Sequence, residues 1–277
     1  MNFSDNRPKT DDTGGYANMA GGANQVRVRA YNERLVLSLV RLQPGISKAD
    51  IARRTGLSPQ TVSVIMRSLE KDHLLVRGEP VRGRVGQPSV PMHLNPDAVL
   101  SYGVKIGRRS ADLVLMDFTG EIRLERHRTY RYPDSAEILD FISDSIADIG
   151  ASLASKQRST IAGVGVATPF ELWNWAGEVG APHGAMEQWR NFDLHAEIAA
   201  RVPYPVFLQN DATSACGAEL VFGVGPRYPD FVYFYVGSFI GGGIVLNSTL
   251  FVGRTGTAGA IGPLPVRNDK GETVQLL

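Results

Sequence analysis

The residues with the clearest chemical potential are polar and basic side chains between positions 53 and 84. The candidates are Arg53, Arg54, Ser58, Gln60, Thr61, Ser63, Arg67, Arg82 and Arg84. Glutamine can pair with adenine in the major groove of DNA, and a hydroxyl group can donate to or accept from several bases. Arginine suits phosphates, or a narrow minor groove where the potential is most negative. We therefore predict that these side chains bind double-stranded DNA.

The distribution of charge along the chain favours a polyanionic partner for this segment. The 277 residues carry 29 Lys and Arg against 28 Asp and Glu, a net charge of +1. Residues 26–90 hold twelve basic and five acidic residues, a balance of +7, whereas residues 91–277 sum to −5. A basic segment ahead of an acidic one is typical of a nucleic-acid-binding module. A small helical protein-docking module with a solvated basic surface is the alternative interpretation.

A helix-turn-helix is predicted to position these side chains. Apolar residues at helical spacing predict a first helix over 32–42. Ser47 fits the N-cap of a short second helix that stops at Gly56. Ser58 fits the N-cap of a third helix, followed by a proline at the first helical position, where a missing N–H costs nothing. The apolar stripe of this helix faces inward, so its polar residues are left for DNA.

A wing completes the predicted domain. Two short strands, over 74–76 and 92–94, enclose residues 77–88, which are too polar and too rich in Gly and Pro to be core. The flexible wing carries the two arginines assigned to the minor groove. The winged helix-turn-helix is predicted over residues 26–95, and residues 1–25, rich in Asn, Asp, Gly and Thr, are predicted to be a disordered tail.

Beyond residue 95 the pattern predicts an α/β domain. Strands are expected over 101–106, 111–118 and 121–130, followed by an amphipathic helix over 134–153. Further elements are expected as strands over 161–167 and 206–208, helices over 194–200 and 212–222, and strands over 231–237, 242–246 and 249–252. Two β-meanders, each with a glycine-bearing turn after its first strand, indicate a duplicated α/β unit.

Four motifs and the winged helix-turn-helix together resemble the ROK family, which joins sugar kinases to sugar-responsive repressors of the xylose and N-acetylglucosamine type. The motifs lie at residues 103–107, 163–169, 209–212 and 241–247. The resemblance covers roughly residue 24 to the C-terminus. It implies a duplicated actin-like, ribonuclease-H-like sugar-kinase fold over residues 96–277. ROK proteins continue into long helices that supply dimer contacts, so we expect a truncated chain with an incomplete second lobe.

The residues that ROK kinases use for catalysis are altered here. In the first phosphate turn Lys105 replaces an acidic residue that helps to hold magnesium, and Arg108 and Arg109 fill a loop that ATP must approach. Phe239 stands in the second phosphate turn where the family prefers glycine. Residues 260–263 replace the family's Glu-x-Gly-His segment, so its sugar-binding glutamate and zinc-binding histidine are absent. Positioning and charge neutralisation, on which phosphoryl transfer depends, are both damaged.

Three residues are candidate ligand contacts. Asn210 and Asp211 match the family's sugar-binding pair, in which the aspartate is the catalytic base. Without ATP, Asp211 is interpreted as a ligand contact or as a structural cap of the next helix. Trp189 is a candidate for stacking on a sugar, with a buried aromatic as the alternative. No metal site is expected, because Cys216 is the only cysteine and the five histidines lack metal-ligand spacing.

These observations predict a cytoplasmic transcriptional regulator, a repressor of carbohydrate-utilisation genes with a non-catalytic ROK domain. Its expected partners are double-stranded DNA and a sugar or another small-molecule effector, and a homo-oligomer is expected if the missing C-terminal part is present. No cofactor, catalytic residue, signal peptide or membrane span is expected. Two alternatives are kept, an ATP-dependent sugar kinase of the ROK family and a truncated DNA binder that senses no ligand.

Overall fold

The computed structural model describes residues 25–80, 90–237 and 240–276. They fall into two compact units, one ending at Val99 and the other starting at Leu100, called here the N-terminal and C-terminal units. The predicted tail up to residue 24, the wing arginines Arg82 and Arg84, and Phe239 lie outside the described residues. Within the described ranges, no helix is long and apolar enough to cross a membrane.

The N-terminal unit contains three helices and a two-stranded sheet. Its elements are α1 (Gln25–Leu42), α2 (Lys48–Thr55), α3 (Pro59–Lys71), β1 (Leu75–Arg77) and β2 (Met92–Leu94). Strands β1 and β2 pair antiparallel, with Leu75 opposite Leu94. The helices enclose a small apolar core to which α3 contributes Val62, Met66 and Leu69. This is the predicted winged helix-turn-helix arrangement.

Two serine caps fix where the short helices begin. Ser47 Oγ accepts a hydrogen bond from the Asp50 amide at 3.1 Å, as predicted. Ser58 Oγ accepts one from the Thr61 amide at 3.0 Å, directly before the proline that opens α3. Gly56 ends α2 with φ of 68°, a left-handed conformation that favours glycine. The turn between the two helices is therefore determined by local chemistry.

Helix α1 begins seven residues earlier than predicted, at Gln25 instead of residue 32. The apolar side chains of the added turns are exposed. The sequence therefore lacks, over this segment, the apolar stripe from which a helix is predicted. Arg29 stabilises this segment, because its guanidinium binds Glu33 at 2.8 Å one turn later and Ser68 of α3 at 2.9 Å. The start of α1 is thus tied to α3.

The C-terminal unit is an α/β domain. Its strands are β3 (Leu100–Ile106), β4 (Ser110–Met116), β5 (Ile122–Thr129), β6 (Ile161–Thr168), β7 (Val206–Asn210), β8 (Phe231–Val236), β9 (Ile240–Leu246), β10 (Thr249–Phe251), β11 (Pro265–Arg267) and β12 (Thr273–Gln275). Its α-helices are α4 (Ser135–Ser152), α5 (Ser155–Arg158), α6 (Ala176–Val179), α7 (Leu194–Ala199) and α8 (Asp211–Phe222). Short 3-10 helices occur at Leu172–Trp175 and Glu187–Asn191.

Two meanders confirm the predicted duplication. Strands β3, β4 and β5 form the first, and β6 and β7 join it in parallel to give a five-stranded sheet of order β5-β4-β3-β6-β7. Strands β8, β9 and β10 form the second meander. The predicted elements of this unit are found with their ends shifted by at most two residues. The hairpin of β11 and β12 was not predicted, because its strands are short and mostly exposed.

Helix α8 lies directly against β9 because β9 presents glycines. A Cβ atom at Gly243 would lie 2.3 Å from Cys216 Cβ, and one at Gly242 would lie 2.1 Å from the Tyr233 carbonyl oxygen. Both distances are far shorter than atomic contact allows. The glycine motif at 241–243 is therefore required by packing, independently of any role in binding phosphate.

A Gly243→Ala substitution should lower the free energy of unfolding of the C-terminal unit by about 1–3 kcal/mol, because its methyl group overpacks the contact with Cys216. Urea unfolding followed by tryptophan fluorescence reports on this unit, which holds all three tryptophans. Gly177→Ala is the matched control, since its Cβ would meet nothing within 4 Å and should leave stability unchanged or raise it by up to about 1 kcal/mol. Equal stability of the two variants would contradict the packing argument.

Candidate nucleic-acid interface and inter-lobe cleft

The outer face of α3 carries the predicted base-reading residues. Gln60 is exposed and Ser63 is half-buried, whereas the apolar stripe of the helix is buried. Ser58 and Thr61 stand at the helix start, with their hydroxyl oxygens 2.8 Å apart. Both hydroxyls therefore take part in capping the helix. Gln60 is left as the largest polar side chain at the N-terminal end of the outer face.

The predicted phosphate-binding arginines differ in the hydrogen bonds and ion pairs that they form. Arg67 is exposed, and its Nε donates to the Ser63 carbonyl oxygen at 3.2 Å. Arg53 is paired with the Asp50 carboxylate, although its side chain is 76% exposed. Within the described part of the chain, neither Arg54 nor Arg67 forms an ion pair. Both guanidinium groups are therefore available to an anionic partner.

A groove between α1 and α3 adds residues that the sequence did not single out. It is lined by Gln25, Val28, Arg29, Asn32, Gln60, Thr61, Val64 and Ile65. Val28 and Val64 expose 43% and 51% of their surface. Gln25, Val28 and Arg29 were missed because they precede residue 32, the predicted start of that helix. The spacing of Arg29 and Glu33, which allows an i, i+4 ion pair on a helix, was the sequence signal that could have indicated the earlier start of α1.

The C-terminal unit contains a cleft of about 510 Å³ between the five-stranded sheet and the second meander. Its charged lining residues are Lys105, Arg108, Arg109 and Asp211. Phe170, Trp175 and Tyr235 add aromatic surface. Ala260 and Pro263 also line the cleft, at the positions where ROK kinases carry a glutamate and a histidine. The cleft is therefore basic, with a single carboxylate.

The first turn of the cleft is closed by its own hydrogen bonds. The Gly107 amide donates to the Ser110 carbonyl oxygen at 2.8 Å. The Tyr130 hydroxyl lies 2.8 Å from the Gly107 carbonyl oxygen and 2.7 Å from that of Ser110. Burial, together with the nearby charge of Asp112, raises the pKa of Tyr130, so it stays a neutral donor. The Gly107 amide is thus already engaged.

Asn210 and Asp211, at the start of α8, have different roles. Asn210 is the N-cap, because its Oδ1 accepts from the Thr213 amide at 3.1 Å. Asp211 is the first helical residue, and its Oδ1 accepts from the Ala212 amide at 2.9 Å and from Asn210 Nδ2 at 3.2 Å. Burial raises the pKa of Asp211 despite these bonds and the charge of Lys105. The structural cap proposed for Asp211 therefore belongs to Asn210.

Trp189 does not line the cleft. Its side chain is fully buried, its Nε1 donates to the Pro133 carbonyl oxygen at 2.8 Å, and its ring packs edge-on against Phe192. A ligand cannot stack on a ring enclosed by core, so the prediction for Trp189 was wrong. Phe170, Trp175 and Tyr235 are the aromatic residues that do line the cleft. Among the described residues, no cluster of three or more His, Cys, Asp or Glu could hold a metal ion.

Comparisons with known proteins agree with both units. Residues 29–76 match the profile described as winged helix-turn-helix DNA-binding, and residues 101–273 match the profile of the ROK family. The xylose repressor of Bacillus subtilis (strain 168) is 27% identical over 245 residues, which cover 88% of this chain and 62% of that repressor. The DNA-binding transcriptional dual regulator NagC of Escherichia coli (strain K12) is 27% identical over 242 residues, covering 86% of this chain and 58% of NagC.

A solved structure shows the same fold. The crystal structure of a ROK family transcriptional regulator, a homologue of the E. coli MLC protein, superposes with a TM-score of 0.59 and 22% sequence identity. The match covers 89% of this chain and 63% of that one. The chain thus spans about 60% of the length of these relatives. Since the family match extends over residues 101–273, more than half of the 277 residues, the chain belongs to the ROK family.

Proposed function

We propose that this protein is a sequence-specific DNA-binding regulator that acts in the cytoplasm and represses carbohydrate-utilisation genes. The observation that carries the proposal is the exposed polar face of α3, which begins at a serine cap and belongs to a basic winged helix-turn-helix. Such a helix presents its N-terminal residues to base edges in the major groove. The names of the relatives, xylose repressor and N-acetylglucosamine repressor, support the same assignment.

DNA recognition divides between base-reading and phosphate-binding residues. Gln60, which is exposed, is proposed to pair with adenine, and Ser63 lies about one turn further along the same helix. Arg54 and Arg67 carry charges without a described carboxylate partner, so they suit phosphates on either side of the groove. Arg53 would have to break its ion pair with Asp50 before it could bind a phosphate.

The C-terminal unit is proposed to bind an effector without phosphorylating it. Lys105 repels a magnesium ion, and the Gly107 amide already donates to Ser110. Burial raises the pKa of Asp211, which is proposed to contact the effector. The cleft suits a sugar-sized ligand beside its aromatic residues, and its basic wall favours one that bears a carboxylate or a phosphate. Effector binding would bias the DNA affinity of an assembled oligomer.

DNA binding can be tested on a site selected from a random duplex library. A Gln60→Ala variant should bind this site about 5- to 150-fold more weakly, yet keep its affinity for unrelated duplexes. An Arg67→Ala variant should weaken binding to all duplexes and reduce the slope of log affinity against log salt by about 1. Lys156→Ala, on exposed α5, is the matched control and should change neither. Failure of the parent to bind any duplex at low ionic strength would overturn the proposal.

The absence of kinase chemistry is tested with magnesium-ATP and a panel of hexoses. We expect no sugar phosphate above the protein-free blank, because the cleft offers a cation where the metal would sit. A Lys105→Asp variant should also be inactive, since Arg108 and Arg109 remain in the turn that ATP must approach. A working hexokinase provides the positive control. Turnover of a hexose that disappears in an Asp211→Asn variant would establish the kinase alternative.

Effector binding is tested by thermal unfolding with a panel of sugars and their phosphate esters. A true ligand at 100 times its Kd should stabilise the C-terminal unit by about 2.7 kcal/mol. Lys105→Ala and Asp211→Asn should diminish this stabilisation, because both residues line the cleft. Asp144→Asn, an exposed change on α4, should leave it intact. Equal stabilisation of all three variants would place the ligand elsewhere.

A further inference from the structure

We propose that Val64, supported by Val28, reads the C5-methyl group of a thymine in the operator. This inference rests on the proposed entry of α3 into the major groove. Both valines expose about half of their surface, although α3 has four buried apolar residues available for its core contact. Both line the same groove as Gln60 and Thr61. Apolar surface is thus presented at the place where α3 would meet base edges.

The position of Val64 matches the geometry of base recognition. It follows Gln60 by four residues, so the two side chains are neighbours about 5–6 Å apart on the same side of the helix. Base pairs are stacked at about 3.4 Å, so this spacing corresponds to one or two base-pair steps. An adenine paired by Gln60 would therefore lie one or two steps from the thymine that Val64 contacts.

Valine is well suited to this task. Its branched side chain has essentially one rotamer in a helix, so little conformational freedom is lost when the methyl groups pack against a base. In the major groove, the thymine methyl is the apolar group that distinguishes an A·T pair. Val28 on the first turns of α1 lines the same groove and widens its apolar surface. Arg29 holds that segment against α3 through Ser68.

The surrounding charge argues for DNA as the occupant of the groove, in preference to an apolar peptide. Residues 26–90 carry a net charge of +7, and Arg54 and Arg67 are exposed on the neighbouring surfaces of α2 and α3. Gln25, Asn32 and Gln60 add neutral polar groups around the valines. A small apolar patch inside a polar, basic surface fits a methyl group on a polyanion.

The experiment replaces each thymine of the selected site with deoxyuridine, which differs only by lacking the methyl group. Affinities of the parent and of Val64→Ala are measured by fluorescence anisotropy. For the parent, one substitution within two base pairs of the adenine read by Gln60 should weaken binding about fourfold, the value for burying one methyl-sized group. Val64→Ala should bind the thymine site about fourfold more weakly, and should not distinguish thymine from deoxyuridine.

Two controls separate this inference from the proposed function. Val221→Ala, an equally exposed valine in the C-terminal unit, should keep the parent's affinity and its deoxyuridine penalty. Circular dichroism should show unchanged helix content in Val64→Ala, because alanine favours an exposed helical position. The parent could bind the selected site without losing affinity when thymine is replaced by deoxyuridine, or Val64→Ala could lose the same affinity as the parent. Either result would overturn the role of Val64 and leave the proposed function standing. Absence of duplex binding by the parent would overturn the proposed function as well.

Discussion

The close approach of helix α8 to strand β9 is the constraint on which the C-terminal unit depends. Gly243 leaves no room for a side chain against α8, since its Cβ would overlap Cys216. Gly241, whose Cβ would lie 3.1 Å from Ala212 Cβ, extends this close approach to the start of α8, where Asn210 and Asp211 line the cleft. Packing alone therefore requires this glycine motif, whether or not it has a role in binding nucleotides.

The two units differ in where their basic residues lie. Both present basic surfaces, but the basic residues of α2 and α3 lie on an exposed surface, whereas Lys105, Arg108 and Arg109 line a cleft. An open basic face suits the extended charge of a duplex. A basic cleft of limited volume suits a small ligand and opposes a divalent cation. The same kind of charge therefore suits two different classes of partner, depending on the surface that carries it.

The N-terminal unit illustrates how few interactions are needed to orient a recognition helix. The Ser58 cap and the following proline determine where α3 begins, and its buried stripe determines which face is turned outward. The contact between Arg29 and Ser68 then brings the first turns of α1 beside that face. A single cap, one apolar stripe and one side-chain bond place Gln60, Val28 and Val64 around the same groove.

The sequence alone determined the order of the longer helices and of most strands, the winged helix-turn-helix, the duplicated meander and the altered kinase motifs. These features depend on local patterns, such as the Ser58-Pro59 start and the period of apolar residues, which can be recognised without a partner segment. Tertiary structure decided the rest. The exposed start of α1 carried no apolar stripe, and Trp189 could not be told apart from Trp175 until the fold buried one and placed the other at the cleft. Burial and side-chain neighbours arise from contacts between distant parts of the chain, which residue types and spacing do not specify.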